Sequence, residues 1–207
     1  MINRLLQLPK NTDETFFLWG PRQAGKSSLL KEAYPDSLWI DLLKTDEFFR
    51  FTTTPSLLRE EIEGTKQRKR IIIDEVQKVP ALLDEVHWLI ENKNAVFGLC
   101  GSSARKLKRG HANLLGGRAV RHELFGFVAA ELKTQFDLIR MLNHGYLPRH
   151  YLSPSPQKLL RSYVGDYLKE EIAAEGYVRN LPAFSNFLNS ASLSDGEMVN
   201  FSTIARD

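Results

Sequence analysis

The feature that most constrains this chain is an eight-residue segment, Gly20–Ser27, with the sequence G-P-R-Q-A-G-K-S. It matches the pattern G-x-x-x-x-G-K-[ST] at every fixed position, and such loops wrap backbone N–H groups around phosphates. Gly20 and Gly25 permit the unusual dihedral angles and the close approach that a side chain would block. Lys26 is expected to reach the β- and γ-phosphates of a nucleotide, and the Ser27 hydroxyl to hold Mg²⁺.

The flanking sequence favours a strand–loop–helix unit around this segment. Residues 15–19, T-F-F-L-W, form a short apolar run, as expected of a buried strand that enters the loop. Residues 27–34 have helical spacing and stop before Pro35. The unit predicts a nucleotide site with the following binding residues: Gly20, Pro21, Arg22, Gln23, Ala24, Gly25, Lys26, Ser27 and Ser28.

An apolar strand that ends in two acids supplies the second half of the predicted site. Three consecutive isoleucines, residues 71–73, fit a parallel strand covered on both faces. Asp74 at its carboxyl end is expected to hold Mg²⁺ through water, and Glu75 to orient an attacking water. The closest match to a guanine-reading Asn-Lys-x-Asp motif, at residues 92–95, lacks the acid. The paired acids therefore favour hydrolysis of ATP over phosphoryl transfer to a second substrate.

Two further polar residues lie beside predicted strands. Ser102 follows the apolar run over residues 95–100, and it either contacts the γ-phosphate or belongs to a Ser-rich turn. Arg118 precedes a short run over residues 120–124. It is either a surface charge or an arginine finger that reaches the γ-phosphate of a neighbouring subunit. The residues alone leave both alternatives open.

The order of these motifs resembles the AAA+ superfamily. More narrowly, the chain resembles a prokaryotic family in which an AAA-type ATPase domain precedes a domain of unknown function. The segments that resemble this family are residues 20–27, 71–77, 100–103, 115–118, 126–132, 143–148, 163–172 and 199–207. The resemblance therefore covers essentially the whole chain.

This resemblance implies an α/β sandwich of the P-loop NTPase type, with a parallel sheet of strand order 5-1-4-3-2. It also implies that ATP binds at the carboxyl ends of the strands. Ser102 is then a sensor of the γ-phosphate, and Arg118 is an arginine finger. A lid arginine is not assigned, since Arg149 and Arg161 are both candidates.

Composition and charge narrow the class of protein further. A hydrophobic fraction of 43% in 207 residues can build a sizeable core, and no apolar run is long enough to span a membrane. The N-terminus does not resemble a signal peptide and is expected to form a short helix against the core. The single cysteine, Cys100, suits the cytosol, and its place in an apolar strand predicts a packing role. We therefore expect a cytoplasmic protein.

The charge pattern leaves the nature of a partner open. A net charge of +3 falls short of the basic footprint of a dedicated nucleic-acid binder. Two basic clusters, residues 66–70 and 105–109, are either solvated surface or contacts for a phosphate backbone.

The pattern of elements changes near residue 125, from alternating strands and helices to helices alone. We predict an AAA+-type ATP-binding core over residues 1–127, a helical lid-like region over 128–180, and an incomplete helix-turn-helix or winged-helix unit over 181–207. Helical spacing is expected over 131–143, 158–175 and 182–191. A last helix begins with Ser202 as its cap and stops after one turn, so we expect a longer parent protein.

These features predict Mg²⁺-dependent binding and hydrolysis of ATP, coupled to an unknown protein or DNA task. The alternative is a binding module that ATP switches between conformations with little turnover. The expected cofactors are ATP and Mg²⁺. The expected partners are further copies of the chain in a homo-oligomer and a DNA or protein target, with no membrane.

Overall fold

The computed structural model describes residues 2–10, 14–64, 69–102, 107, 115–166, 180–193 and 202. The chain divides into two compact units, Met1–Leu152 and Ser153–Asp207. Within the described residues, no helix combines the length and the apolar character that crossing a membrane requires. The domain boundaries expected at residues 127 and 180 stay predictions.

Five short strands form one parallel sheet in the first unit. They are β1 (Phe16–Trp19), β2 (Leu38–Asp41), β3 (Ile71–Asp74), β4 (Phe97–Gly101) and β5 (Val120–Glu123). Their order is β2-β3-β4-β1-β5, and every neighbouring pair is parallel. This is the predicted order 5-1-4-3-2 counted from the other edge, so the predicted fold class is confirmed. Every residue of β1, β3 and β4 is buried, as strands covered on both faces require.

Helices connect the strands and continue beyond the sheet. The first unit contains α1 (Lys26–Ala33), α2 (Thr45–Thr53), α3 (Leu57–Gly64), α4 (Leu82–Lys93), α5 (Ala129–Leu132), α6 (Leu138–His144) and α7 (Pro148–Tyr151). Short 3₁₀ turns lie at Val76–Lys78, Leu115–Gly117 and Lys133–Gln135. The second unit contains α8 (Pro156–Asp166) and α9 (Leu181–Leu193).

Alternate strand residues build two hydrophobic clusters on opposite faces of the sheet. Phe17 and Trp19 belong to the larger cluster, to which α2, α3 and α4 contribute their buried residues. Phe16 and Leu18 belong to the other cluster, together with Leu30 of α1. The period-two alternation of a strand thus places helices on both faces and produces a three-layer sandwich.

The N-terminal segment, residues 2–10, belongs to the first unit and packs against its core but contains no helical turn, so the predicted short helix is wrong. Leu6 and Leu8 pack on the cluster that contains Phe16. Gln7 between them is exposed, and Leu5 before them is 58% exposed, which is the alternation of an extended chain. The Tyr34 hydroxyl fastens the far end of the segment, because it donates a hydrogen bond of 2.7 Å to the carbonyl oxygen of Pro9.

The single helical pattern expected over residues 131–143 is interrupted in the structure. Lys133 has a φ of 51°, which ends α5. The next helix, α6, begins only after Asp137, whose carboxylate accepts a hydrogen bond of 2.9 Å from the backbone N–H of Arg140. A side-chain cap of this kind starts a new helix, so the chain forms two short helices where one was expected.

The remaining expectations fall partly outside the described residues. Helix α9 covers the helix expected over 182–191, and α8 covers the described part of the one expected over 158–175. The final capped helix, apart from Ser202, and most of both basic clusters lie outside the described residues. Arg70, the last member of the first cluster, is buried and donates a hydrogen bond of 2.6 Å to the Glu14 carbonyl oxygen.

Candidate functional site

The segment Gly20–Ser27 forms the connection between β1 and α1, at the carboxyl edge of the sheet. A Cβ atom at Gly20 would lie 1.9 Å from the carbonyl oxygen of Leu124, so no side chain fits there. Gly25 has a φ of 93° and precedes the first residue of α1. Both glycines of the motif are therefore required by the backbone itself.

The inside of this loop is lined by donors. Lys26 is buried, and its Nζ donates to the carbonyl oxygens of Gly20 and Pro21 at 2.8 and 3.0 Å. Helix α1 has no acid in its first turn and no side-chain cap within the described residues, which leaves its first N–H groups available to an anion. Among the other predicted loop residues, Ala24 is buried, and the following are exposed: Arg22, Gln23 and Ser28.

The loop and β3 meet through one hydrogen bond. The hydroxyl of Ser27 donates to Asp74 Oδ2 at 2.6 Å. Asp74 is 4% exposed, and its second oxygen, Oδ1, is buried without a hydrogen-bond partner among the described residues. Burying an unpartnered carboxylate oxygen costs free energy, which a cation would offset. Hydroxyl and carboxylate oxygens are ligands that Mg²⁺ prefers, so these two residues fit the predicted metal.

A glutamine joins two residues that the sequence predicts to be catalytic. Gln77 Nε2 donates hydrogen bonds to Glu75 Oε2 and, at 3.1 Å, to Ser102 Oγ. A Cβ atom at Gly101 would lie 2.1 Å from Gln77 Oε1, so this glycine makes room for the glutamine. Gln77 is not among the predicted residues. Its signal in the sequence is its place two residues after the second acid, in a 3₁₀ turn that directs it back toward β4.

Cys100 lies directly beside Asp74 in the parallel register of β4 and β3. It is fully buried. Burial raises the pKa of the Cys100 thiol well above its ordinary value, and the negative charge of Asp74 raises it further. The thiol therefore stays protonated at neutral pH and packs in the core under the acid.

Arg118 lies apart from these residues, because it precedes β5 at the amino edge of the sheet. Its Nε forms an ion pair with Glu91 near the end of α4, and the hydrogen bond from Arg118 lowers the pKa of Glu91. Its side chain is 38% exposed. The structure does not bring Arg118 to the loop of its own chain. The two candidates for a lid arginine, Arg149 in α7 and Arg161 in α8, are both exposed, and the choice between them stays open.

The chain is similar to known families and structures. Among solved structures, it is similar to PCH-2 of C. elegans, with 18% identity over 65% of this chain and 42% of that one, and a TM-score of 0.39. It is also similar to a signal transduction ATPase with numerous domains, with a tetratricopeptide repeat sensor, from Pyrococcus horikoshii. That match has 15% identity over 95% of this chain and 30% of that one, and a TM-score of 0.39. The chain thus spans less than half the length of either structure.

Family models divide the chain close to the end of α5. Residues 135–207 match a model described as a domain of unknown function (DUF8612). No curated protein matches the chain. Residues 12–133, more than half of the chain, match the model described as AAA domain. The chain therefore belongs to the AAA domain family of nucleotide-binding ATPases, with its AAA domain followed by a domain of unknown function.

Proposed function

We propose that the chain binds ATP with Mg²⁺ at this site and hydrolyses it. The observation on which the proposal rests is the hydrogen bond between Ser27 and Asp74, because it joins the phosphate loop to the acid of β3. The buried Asp74 Oδ1, unpartnered in the described part of the chain, supports a cation beside that bond. Anion donors and cation ligands then lie side by side, as a nucleotide–Mg²⁺ pair requires.

The loop and Lys26 bind the phosphates. The Lys26 amine exchanges its two carbonyl acceptors for phosphate oxygens, which form stronger charge-assisted hydrogen bonds. The N–H groups at the start of α1 donate to the same phosphates. Ser27 and Asp74 hold Mg²⁺, whose charge offsets the negative charge that develops on the phosphates.

Glu75 and Ser102, the two residues that Gln77 connects, carry out hydrolysis. Glu75 orients the attacking water and accepts its proton, which is the task of a general base. Ser102 contacts the γ-phosphate. Gln77 hydrogen bonds to both of them, so it fixes the carboxylate of Glu75 relative to the hydroxyl that senses the γ-phosphate.

Arg118 serves the site of a neighbouring copy. Its position at the amino edge of the sheet and its partly exposed side chain support this role over one in its own site. On assembly, the guanidinium exchanges Glu91 for the γ-phosphate of the neighbour, where it stabilises charge in the transition state. The proposal therefore includes a homo-oligomer in the cytoplasm, where ATP and Mg²⁺ are available.

ATP hydrolysis drives a task on a protein or DNA target. A phosphate loop indicates the nucleotide that is bound but not the target, so the site does not specify which one it is. The alternative is a module in which bound ATP switches a surface for DNA or protein, with little turnover.

Phosphate release separates the two functions. The assay is run against chain concentration, with Mg²⁺ or with EDTA, and with or without single- and double-stranded DNA. We expect phosphate release to require Mg²⁺, and its rate to increase more than proportionally with the chain concentration. Slow release that changes with neither concentration nor DNA would support the switch, and release of equal rate in EDTA would contradict the proposed role of Mg²⁺.

A further inference from the structure

Arg4, near the start of the chain, holds three segments together around the phosphate loop. Its Nη1 donates a hydrogen bond of 2.7 Å to the carbonyl oxygen of Ala24, within the loop. Its Nη2 donates to the carbonyl oxygens of Phe125 and Gly126 at 2.6 and 3.1 Å. Its Nε donates to Glu131 Oε1 at 3.0 Å. The rigid fork of the guanidinium allows one side chain to serve all four acceptors.

Glu131 fixes Arg4 from the opposite side. The side chains of the pair are 10% and 4% exposed, so the ion pair is shielded from water. Glu131 also accepts hydrogen bonds from the backbone N–H groups of Leu5 at 2.9 Å and Val128 at 3.2 Å. Burial raises the pKa of Glu131, but these hydrogen bonds and the charge of Arg4 outweigh it, and the pKa lies below its ordinary value. The carboxylate is therefore ionised at neutral pH and holds the guanidinium in place.

The contact with Ala24 determines the direction of a loop amide. In a trans peptide unit, the carbonyl and the following N–H point in opposite directions, and the described residues contain no cis peptide. Since Arg4 holds the Ala24 carbonyl on one side, the N–H of Gly25 is directed to the other. A cationic donor on the carbonyl also polarises the peptide and makes its N–H a stronger donor.

We propose that Arg4 is a positioning residue for the phosphate loop, which fixes the Ala24–Gly25 peptide for the phosphates of a bound nucleotide, and that Glu131 fixes Arg4. The inference deepens the proposed function and rests on it, because it concerns the same site. Arg4 acts through Ala24 and does not touch the phosphates. The same hydrogen bonds join the loop to residues 125–131, just before the domain of unknown function.

The test compares variants of the full chain by titration with Mg²⁺–ATP and with pyrophosphate, which probes the loop without the nucleoside. We expect Arg4→Ala to lower the affinity for both ligands by about tenfold or more. Arg4→Lys is expected to recover part of this loss, because it keeps the charge but offers fewer directed donors. Tyr34→Phe is the matched control. It removes the bond that fastens the same N-terminal segment at Pro9, without touching the loop, and both affinities should stay within about twofold of the parent.

Thermal unfolding of each variant separates positioning from stability. If Arg4 only stabilises the fold, Arg4→Ala and Tyr34→Phe lower the melting temperature and leave both affinities unchanged, which overturns the inference but not the proposed function. If Tyr34→Phe loses as much affinity as Arg4→Ala, the inference is also overturned, since packing of the whole N-terminal segment would then account for the lost affinity. If Arg4→Ala does not fold, Arg4→Lys and Glu131→Gln decide, and parental affinity in both contradicts the inference. A parent chain that binds neither ligand contradicts the proposed function and this inference together.

Discussion

The hydroxyl of Ser27 donates a 2.6 Å hydrogen bond to Asp74 although the two residues are 47 positions apart. The bond connects the start of α1 to the end of β3, and it exists because parallel strands β1 and β3 both end at the same edge of the sheet. The two halves of the predicted site therefore form one site.

Asp74→Asn is expected to remove most of the effect of Mg²⁺ on ATP affinity, because a neutral amide oxygen attracts a cation far less than a carboxylate does. Titration with ATP in Mg²⁺ and in EDTA measures this, and we expect the ratio of the two affinities to fall by about tenfold. Asp41→Asn is the control, since Asp41 pairs with Asp74 in the sheet register and ends the neighbouring strand. An unchanged ratio in Asp74→Asn would exclude Asp74 as a metal ligand.

Gln77→Ala is expected to lower kcat by about tenfold, equivalent to ~1.4 kcal/mol of transition-state stabilisation, with little change in KM. The reason is that Glu75 and Ser102 lose their shared donor, whereas the phosphate loop is untouched. Steady-state phosphate release measures both constants, and the exposed Gln135→Ala is the control. A raised KM with parental kcat would place Gln77 in binding instead.

Arg118→Ala is expected to bind ATP normally and to hydrolyse it poorly, because fingers of this kind contribute about 10³- to 10⁵-fold in rate. Mixing this variant with Glu75→Gln should restore part of the activity, since each supplies what the other lacks at a mixed interface. Phosphate release by the mixture measures the recovery.

Arg121→Ala is the control for Arg118, because it is a nearby exposed arginine that is also paired with a glutamate. It should keep parental turnover. If light scattering confirms assembly and the mixture stays inactive, the role in a neighbouring subunit is wrong.

Cys100 is expected to resist alkylation in the folded chain, even at a pH where an exposed thiol reacts readily. Burial raises the pKa of the Cys100 thiol, so the reactive thiolate is depleted at every pH below that raised value. Mass spectrometry after iodoacetamide treatment at pH 8.5 should show modification only in denaturant. Rapid modification of the native chain would contradict the buried position beside Asp74.

The strands and the phosphate loop could be predicted from sequence because their signals are local and strong, whereas the strand order was predicted only from the resemblance to the AAA+ superfamily. Glycines that no side chain could replace and three consecutive isoleucines specify a backbone conformation by themselves. The extended conformation of the N-terminal segment could not be predicted from sequence. Ile2, Leu5 and Leu6 have the spacing of a helix, yet Leu5 is exposed. Here, packing of Leu6 and Leu8 on the sheet prevails over local pattern.

Residues that act through distant contacts were also beyond prediction. Arg4 meets acceptors 20 to 127 positions away, and Gln77 meets Ser102 25 positions away. Such partners depend on how the strands are ordered, which no local pattern specifies. Arg118 was named as a candidate, but the residues alone left its role open, because its proposed target belongs to another copy of the chain.

The most direct test of the central claim measures ATP affinity and phosphate release on the same sample of Glu75→Gln. The amide keeps the shape of the side chain but cannot accept a proton, so we expect affinity within about threefold of the parent and release reduced by about a hundredfold or more. Lys26→Ala, measured beside it, should lose tight binding because it removes the buried cation of the loop, whereas Lys31→Ala on the same helix should not. Parental release by Glu75→Gln, or affinity of Lys26→Ala within about twofold of the parent, would contradict the assignment of this site.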